Sequence, residues 1–274
     1  MTTNLLRLGG VPEHFNHPWQ LAITSPELSD INLDWAVQLG GTGEMLAALD
    51  EGRLDMVSIL TEGTVAAIDQ GKDLTIVQVY VESPLQWGIH VPAGSDLEVE
   101  SQLEGRPIAI SRYGSGSHLM AFVHASQQGW KIDDAQFVVV GGLDNARKAL
   151  GEGSAEVFFW DRFMTSPLVE NGNFRRVGTI ETPWPSFVIA VRNEVLVGRT
   201  TEVGQVVDAV VAHAQGLHDR PGIVGELAET YGLTEATAAE WLATTRFATR
   251  APFDQSLRTK VLQTLSAANA STNF

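Results

Sequence analysis

Short apolar runs alternate with helical patterns through the first part of the chain, the arrangement that repeated strand-helix-strand units and a largely parallel sheet produce. Leu5-Leu6-Arg7-Leu8 predicts a first strand, and His14 to Thr24 a helix with Pro18 in its first turn. Trp35 to Leu39 predicts the second strand, with a helix from Glu44 to Asp50. Met56-Val57-Ser58-Ile59-Leu60 predicts the third, then a helix to Gln70, and Leu74 to Val81 the fourth. Near Glu82-Ser83-Pro84-Leu85 the pattern restarts. Strands are expected at Trp87–Val91, Pro107–Ser111, Phe137–Val140 and Val157–Trp160, with helices at Ser115–Gly129 and Asp144–Gly151.

Arg175–Ile180 and Phe187–Arg192 lead back, and Glu194 to Phe274 has helical patterning interrupted at Asp219-Arg220-Pro221-Gly222 and Arg250-Ala251-Pro252. A helical tail without a sheet of its own must bury its apolar face elsewhere, and the first unit is the natural place. This assigns residues 1–84 and 184–274 to a discontinuous first lobe and 85–183 to a second. Hinges are expected near 82–86 and 181–186, with a ligand cleft between the lobes.

The chain has 274 residues, 44% apolar and 19% charged, with 18 Lys and Arg against 33 Asp and Glu. The resulting charge of −15 disfavours nucleic acid as a partner, because phosphate-backbone affinity comes from cationic side chains. No run approaches the roughly 20 apolar residues that span a bilayer, so no direct membrane insertion is expected. Cysteine is absent, which removes disulfides, thiolate metal sites and a lipid-anchor cysteine. The opening Met1 to Gly10 lacks a basic and then apolar leader pattern, so the expected location is cytoplasmic; a chain relieved of such a leader would be periplasmic or extracellular.

Four local patterns carry a resemblance: Leu8-Gly9-Gly10-Val11-Pro12, Leu46 to Asp55, Leu103-Glu104-Gly105-Arg106-Pro107-Ile108-Ala109, and Gly114-Ser115-Gly116-Ser117-His118. With the lobe order they make the chain resemble the type II periplasmic-binding-protein-like superfamily, in its branch of transporter substrate-binding proteins for alkanesulfonates, taurine and thiamine-pyrimidine precursors, and in particular its leaderless members. The resemblance implies an α/β fold of two lobes, each a mixed, mainly parallel sheet flanked by helices, and closure around a small ligand in the cleft. A helix ending at a glycine before a core strand recurs at Ala149 to Glu156.

The segment Ser111, Tyr113, Gly114, Ser115, Gly116, Ser117 and His118 lies between a strand and a helix, where free N–H groups, glycines and hydroxyls suit a sulfonate, carboxylate or phosphate. An ordinary serine cap with turn glycines would have the same sequence. The loop after the first strand supplies Gly10, Glu13, His14 and Asn16 as polar contacts; Glu13, His14 and His17 lack an evident fourth ligand for a metal. Other strand ends offer Thr42 and Gly43, Thr61 and Glu62, and Ser83, the threonines serving equally as helix caps. Trp160, Asp161 and Trp184 are candidate contacts from the far side, with one tryptophan of the two expected to meet the ligand.

The function expected is a solute-binding protein for an anionic or zwitterionic molecule, sulfonate, carboxylate or pyrimidine in type, with no cofactor and no metal. If the chain is exported, the resemblance implies an ABC permease as partner. The alternative is a cytoplasmic cofactor-biosynthesis enzyme on the same scaffold, of thiamine-pyrimidine or menaquinone type. For the thiamine type the resemblance implies a pyridoxal-phosphate lysine beside a reactive histidine and a cysteine-rich motif, whereas the first lysine here is Lys72 and cysteine is absent. A serine hydrolase is disfavoured separately, because Gly114-Ser115-Gly116 is not a nucleophile elbow.

Overall fold

A computed structural model describes residues 5–250 and 253–268. Ala251 and Pro252 of the second interruption, and Met1 to Asn4 of the opening segment, lie outside these residues. The first unit runs β1 (Leu6–Gly10), α1 (His17–Ile23), β2 (Leu33–Val37), α2 (Gly41–Asp50), β3 (Met56–Leu60), α3 (Thr61–Asp69) and β4 (Leu74–Val81). The second runs β5 (Gln86–Pro92), β6 (Ile108–Ile110), α4 (Gly116–Gln128), β7 (Phe137–Val139), α5 (Leu143–Glu152), β8 (Val157–Asp161), α6 (Ser166–Glu170) and β9 (Phe174–Glu181). The chain then enters β10 (Phe187–Arg192) and five helices: α7 (Asn193–Gly198), α8 (Thr200–Gln215), α9 (Ile223–Tyr231), α10 (Glu235–Thr244) and α11 (Gln255–Ala267). Among the described residues no helix is long and apolar enough to cross a membrane.

Two five-stranded sheets result, ordered β2-β1-β3-β10-β4 and β7-β6-β8-β5-β9. In each, four strands run in one direction and a single strand, the fourth in the order, runs the other way. β1 pairs in parallel with β2 and β3, and β6 with β7 and β8. β10 inserts antiparallel between β3 and β4, and β5 antiparallel between β8 and β9. The sheets therefore share one topology, but in each the inserted strand comes from a segment that links the two lobes.

The helix-to-strand turn noted in the sequence is built the same way twice. After α2, Gly52 takes φ +67° and the Arg53 N–H donates to the Ala48 carbonyl at 2.8 Å. After α5, Gly153 takes φ +76° and the Ser154 N–H donates to the Ala149 carbonyl at 3.0 Å. Left-handed glycine satisfies the last helical carbonyls and sends the chain straight into a central strand.

The buried core strings together β1, the loop after it, β4, β5, β6, α4, β10 and the C-terminal helices α8 to α11. Trp241 of α10 is fully buried against His14, Phe15 and Phe247, so the tail does cover the first sheet's loops. The Tyr80 hydroxyl, also buried, donates to the Phe15 carbonyl at 2.6 Å and ties β4 to the loop after β1. Tyr80→Phe strands that carbonyl. The expected cost is about 1–2 kcal/mol, read as a lower denaturant midpoint at unchanged slope.

The connections between lobes lie at 82–85 and 182–186 and are bonded to one another. The Ser186 N–H and hydroxyl both donate to the Ser83 carbonyl, at 3.2 and 2.9 Å, and the Leu85 N–H donates to the Thr182 hydroxyl at 3.0 Å. The tail joins them: the Glu82 N–H donates to the Arg246 carbonyl and the Arg246 N–H to the Ser83 hydroxyl.

Candidate functional site

In a parallel sheet all carboxyl ends point one way, and here both sheets turn theirs toward a shared cavity of about 510 Å3. Each parallel strand sends residues to its wall. β1 delivers Val11, Pro12 and Glu13; β2 delivers Leu39 to Thr42; β3 ends in it at Leu60. From the other lobe β6 delivers Ser111, Arg112 and Ser115 to Ser117, β7 delivers Gly141 to Asn145, and β8 delivers Trp160, Asp161 and Met164. Leu85, Trp87 and Phe187 close it on the side of the connections. The volume suits a small organic molecule.

The cavity wall at the start of α4 is built from one local turn. Gly114 takes φ +75°, which lets the chain reverse after β6, and Ser115 caps α4. The hydroxyls are partly committed within the turn: Ser115 Oγ donates to the Arg112 carbonyl at 2.7 Å, lies 3.0 Å from Ser117 Oγ, and accepts weakly from the His118 N–H at 3.4 Å. Ser117 Oγ also accepts the Ser111 N–H at 3.0 Å. What the turn offers a ligand is therefore chiefly its first-turn amides and the helix's positive end. A Cβ on Gly116 would lie 2.6 Å from the Trp87 ring, so glycine here lets that ring lie against the helix start. The Trp87 ring N–H is buried and has no partner among the described residues.

Arg112 crosses the cleft. It leaves the loop after β6, and its Nη1 donates to the Gly40 carbonyl of the opposite lobe at 2.7 Å. A Cβ on Gly43 would collide with the guanidinium, which gives that glycine a steric reason. Nη2 is buried without a partner among the described residues, and burial pulls the side chain's pKa below its ordinary value, with Glu44 opposing.

An acidic group occupies another part of the wall. Asp161 Oδ1 accepts the N–H groups of Phe163 and Met164 at 2.9 and 2.8 Å and lies 3.6 Å from His14 Nε2, while Oδ2 is buried without a partner among the described residues. Burial pushes the Asp161 carboxyl up to about 7. Glu13 rises to about 8, through burial first and Asp161 second. His14, fully buried and stacked 4.6 Å from Trp241, falls to about 3 because its charged form would be desolvated.

Of the residues singled out from sequence, the structure brings Glu13, Thr42, Ser111, Ser115, Gly116, Ser117, Trp160 and Asp161 onto the cavity wall. The others stand behind or beside it. Asn16 Nδ2 donates to the Val11 carbonyl at 2.8 Å, and a Cβ on Gly10 would meet that amide and Trp35. Thr42 and Thr61 lie inside α2 and α3, whose caps are Gly40 and Leu60; the Thr61 hydroxyl goes instead to the Pro185 carbonyl at 2.5 Å. Glu62 and Trp184 find one another, the indole N–H donating to Oε2 at 2.9 Å, and burial pushes Glu62 up to about 7. Ser83 belongs to the bonded connections described above. His118 accepts the Gly114 N–H at 3.0 Å and packs among Tyr113, Phe122 and Phe137, and Tyr113 is 43% exposed. His14 and His17 both pack on Tyr231 but face different carboxylates, His17 lying 3.3 Å from Glu226. Trp87 was not among the candidate contacts, and Arg112, inside the Ser111 to His118 segment, was given no role in it. A cation two residues beyond a strand end was the available signal for Arg112.

Residues 87–180 match the family model of the Ca3427-like PBP, a periplasmic binding protein type. Among solved structures, the Candida albicans CA3427 gene product, described as defining a family with the generic periplasmic binding protein fold, superimposes with a TM-score of 0.91. Identity is 26%, over 98% of this chain and 92% of that one. The alkanesulfonate-binding protein SsuA from Xanthomonas axonopodis pv. citri, bound to MOPS, gives 0.80 at 20% identity, over 97% and 93%. PhnD1 from Prochlorococcus marinus, in complex with methylphosphonate, gives 0.65 at 12% identity, over 98% and 100%. No curated protein matches the sequence.

Proposed function

We propose that this protein, whose chain has the two-lobed periplasmic-binding-protein fold, binds a small anionic or zwitterionic solute, of sulfonate, carboxylate or pyrimidine type, by closing its lobes over the interlobe cavity. The observation that carries the reading is the convergence of Arg112 and the α4 start on one cavity walled by both lobes. A ligand gripped from both sides favours the closed arrangement by its differential affinity, and only that difference can move the equilibrium. The neighbours' sulfonate and phosphonate ligands, each a tetrahedral oxyanion group, support the ligand class. If the chain is exported, the proposed partner is an ABC permease, since a further structural neighbour is the ligand-binding component of an ABC-type import system from Staphylococcus aureus. The bonded connections at 82–85 and 182–186 are the proposed hinge.

The test is a thermal-shift screen with sulfonates, phosphonates, small carboxylates, aminopyrimidines and their phosphates. A ligand at 100 times its dissociation constant adds about 2.7 kcal/mol to the folded state. A shift with the compound recovered unchanged supports a binding protein, whereas consumption of the compound replaces that reading with catalysis. Replacing Ser115 and Ser117 together by alanine is expected to weaken an anionic hit about 5- to 10-fold, through loss of the cap and of the hydroxyls that shape the turn. Unchanged affinity in calorimetry removes the turn from the site.

A further inference from the structure

We propose that Asp161 and Glu13 form a second pole of the cavity, a subsite for a cationic nitrogen, so that the ligand is a zwitterion carrying a protonated amine as well as an acidic group. The inference rests on the reading of the cleft as an anion-binding site. It is carried by geometry: Asp161 is 4% exposed and lies on the cavity wall, and its Oδ2 has no hydrogen-bond partner among the described residues. Glu13 reaches the same wall from the other lobe.

The groups around the pair leave it without a counterion. His14 Nε2 is 3.6 Å from Asp161 Oδ1, but that ring is fully buried, stacked on Trp241, and held neutral by desolvation. Arg162, next in the chain, draws the Asp161 carboxyl down through its charge only as the smallest of the causes acting on it, because its guanidinium lies over the Phe163 ring and pairs with Glu240. Tyr231 of α9, whose own hydroxyl is pushed up by burial and by the Glu226 and Glu13 charges, adds no positive charge. Arg112 is bonded to Gly40 and has Glu44 as its charged neighbour. A buried carboxylate left in this condition is costly, and the group responds by holding a proton. The raised proton affinities of Asp161 and Glu13 fit a pair that awaits a cation. An ammonium supplies three donors and a compact charge, enough to satisfy Asp161 Oδ2 and Glu13 together and to displace the protons they hold. Binding across the two lobes at this pole would also add to closure.

The probes are matched pairs of short-chain sulfonates, two to four carbons long, with and without a terminal amine, measured by calorimetry at pH 7 in two buffers of different ionisation enthalpy. The amine-bearing member of a pair is expected to bind at least 10-fold more tightly and to release protons that the amine-free member does not release. In Asp161→Asn, whose amide oxygen can still accept the Phe163 and Met164 N–H groups, the preference is expected to fall below threefold. Glu13→Gln, on the other lobe, gives an independent second reading of the same loss. Equal or tighter binding of the amine-free sulfonate by the unaltered protein overturns the second pole while leaving the anion site standing. A preference that survives in both variants does the same. If neither member of any pair binds, the anion site fails and the second pole falls with it.

Discussion

An Arg112→Ala protein is expected to bind its anionic ligand about 30- to 1000-fold more weakly, a loss of roughly 2–4 kcal/mol. The side chain serves two interactions at once. Nη1 holds the Gly40 carbonyl across the cleft, and Nη2 is buried with no acceptor among the described residues. An oxyanion placed against Nη2 would make a charge-assisted hydrogen bond in a site shielded from water, where such bonds are strongest. Alanine deletes that bond and the link between lobes together. Arg112→Lys keeps a charge without the planar fork and is expected to recover only part of the affinity. Gly43→Ala displaces the guanidinium without removing it, because the new Cβ would occupy its place, and is expected to give an intermediate loss. Calorimetry on the three variants checks the series. Affinity within threefold of the unaltered protein in Arg112→Ala would exclude the side chain from the ligand site.

The second large effect concerns stability without ligand. The folded Asp161 carboxyl titrates near 7 against an ordinary 3.8, so the folded state holds its proton where the unfolded chain has released it. Stability then falls as pH rises between those values, and the full cost is present above about 7. Asp161→Asn removes the ionisation. The ligand-free variant is expected to be more stable than the unaltered protein at pH 8, by up to roughly 4 kcal/mol, with the difference vanishing near pH 4. Glu13, near 8, contributes in the same sense up to a higher pH, whereas His14, near 3, costs stability as pH falls below its ordinary 6.5. Melting temperature against pH for the two proteins reads the crossing directly. The same substitution is thus expected to strengthen the empty fold and weaken recognition of an amine. An equal melting temperature at pH 8 would mean that the Asp161 charge is already neutralised.

Most strands were legible because a central strand buries both faces and so appears as an unbroken apolar run, as Met56 to Leu60 does. The tandem turns at Gly52 and Gly153 were legible for a related reason, since only glycine takes their backbone angles cheaply. Which strands become neighbours was less so. Nothing in Phe187 to Arg192 states that it will enter the sheet begun at Leu6, because that choice is made by packing and not by local pattern. At the site, Ser115 could be found from its serine-glycine turn before a helix. Arg112 stands in the same segment, two residues beyond a strand end, but its role across the cleft was hidden because its bond to Gly40 joins residues far apart in sequence. Glu62 and Trp184 show the converse: each is a plausible ligand contact by position, and each is instead the other's hydrogen-bond partner.

The placement of β10 bears on how the chain reaches this structure during synthesis. β4 lies at the edge of its sheet, paired with β10 and bridged once from Val81 to Phe247, so when Val81 is made both of these later segments have yet to appear. The intervening strands, Gln86 to Glu181, build the whole second sheet without help from β10. Vectorial folding should therefore complete the second lobe while the first is still an open three-strand fragment. The finished lobe then shortens a loop of about 100 residues whose closure would otherwise oppose the long-range pairing. Until Phe187 to Arg192 arrives, β4 presents an unpaired edge, and this interval is the period in which a nascent chain is most exposed to intermolecular strand pairing.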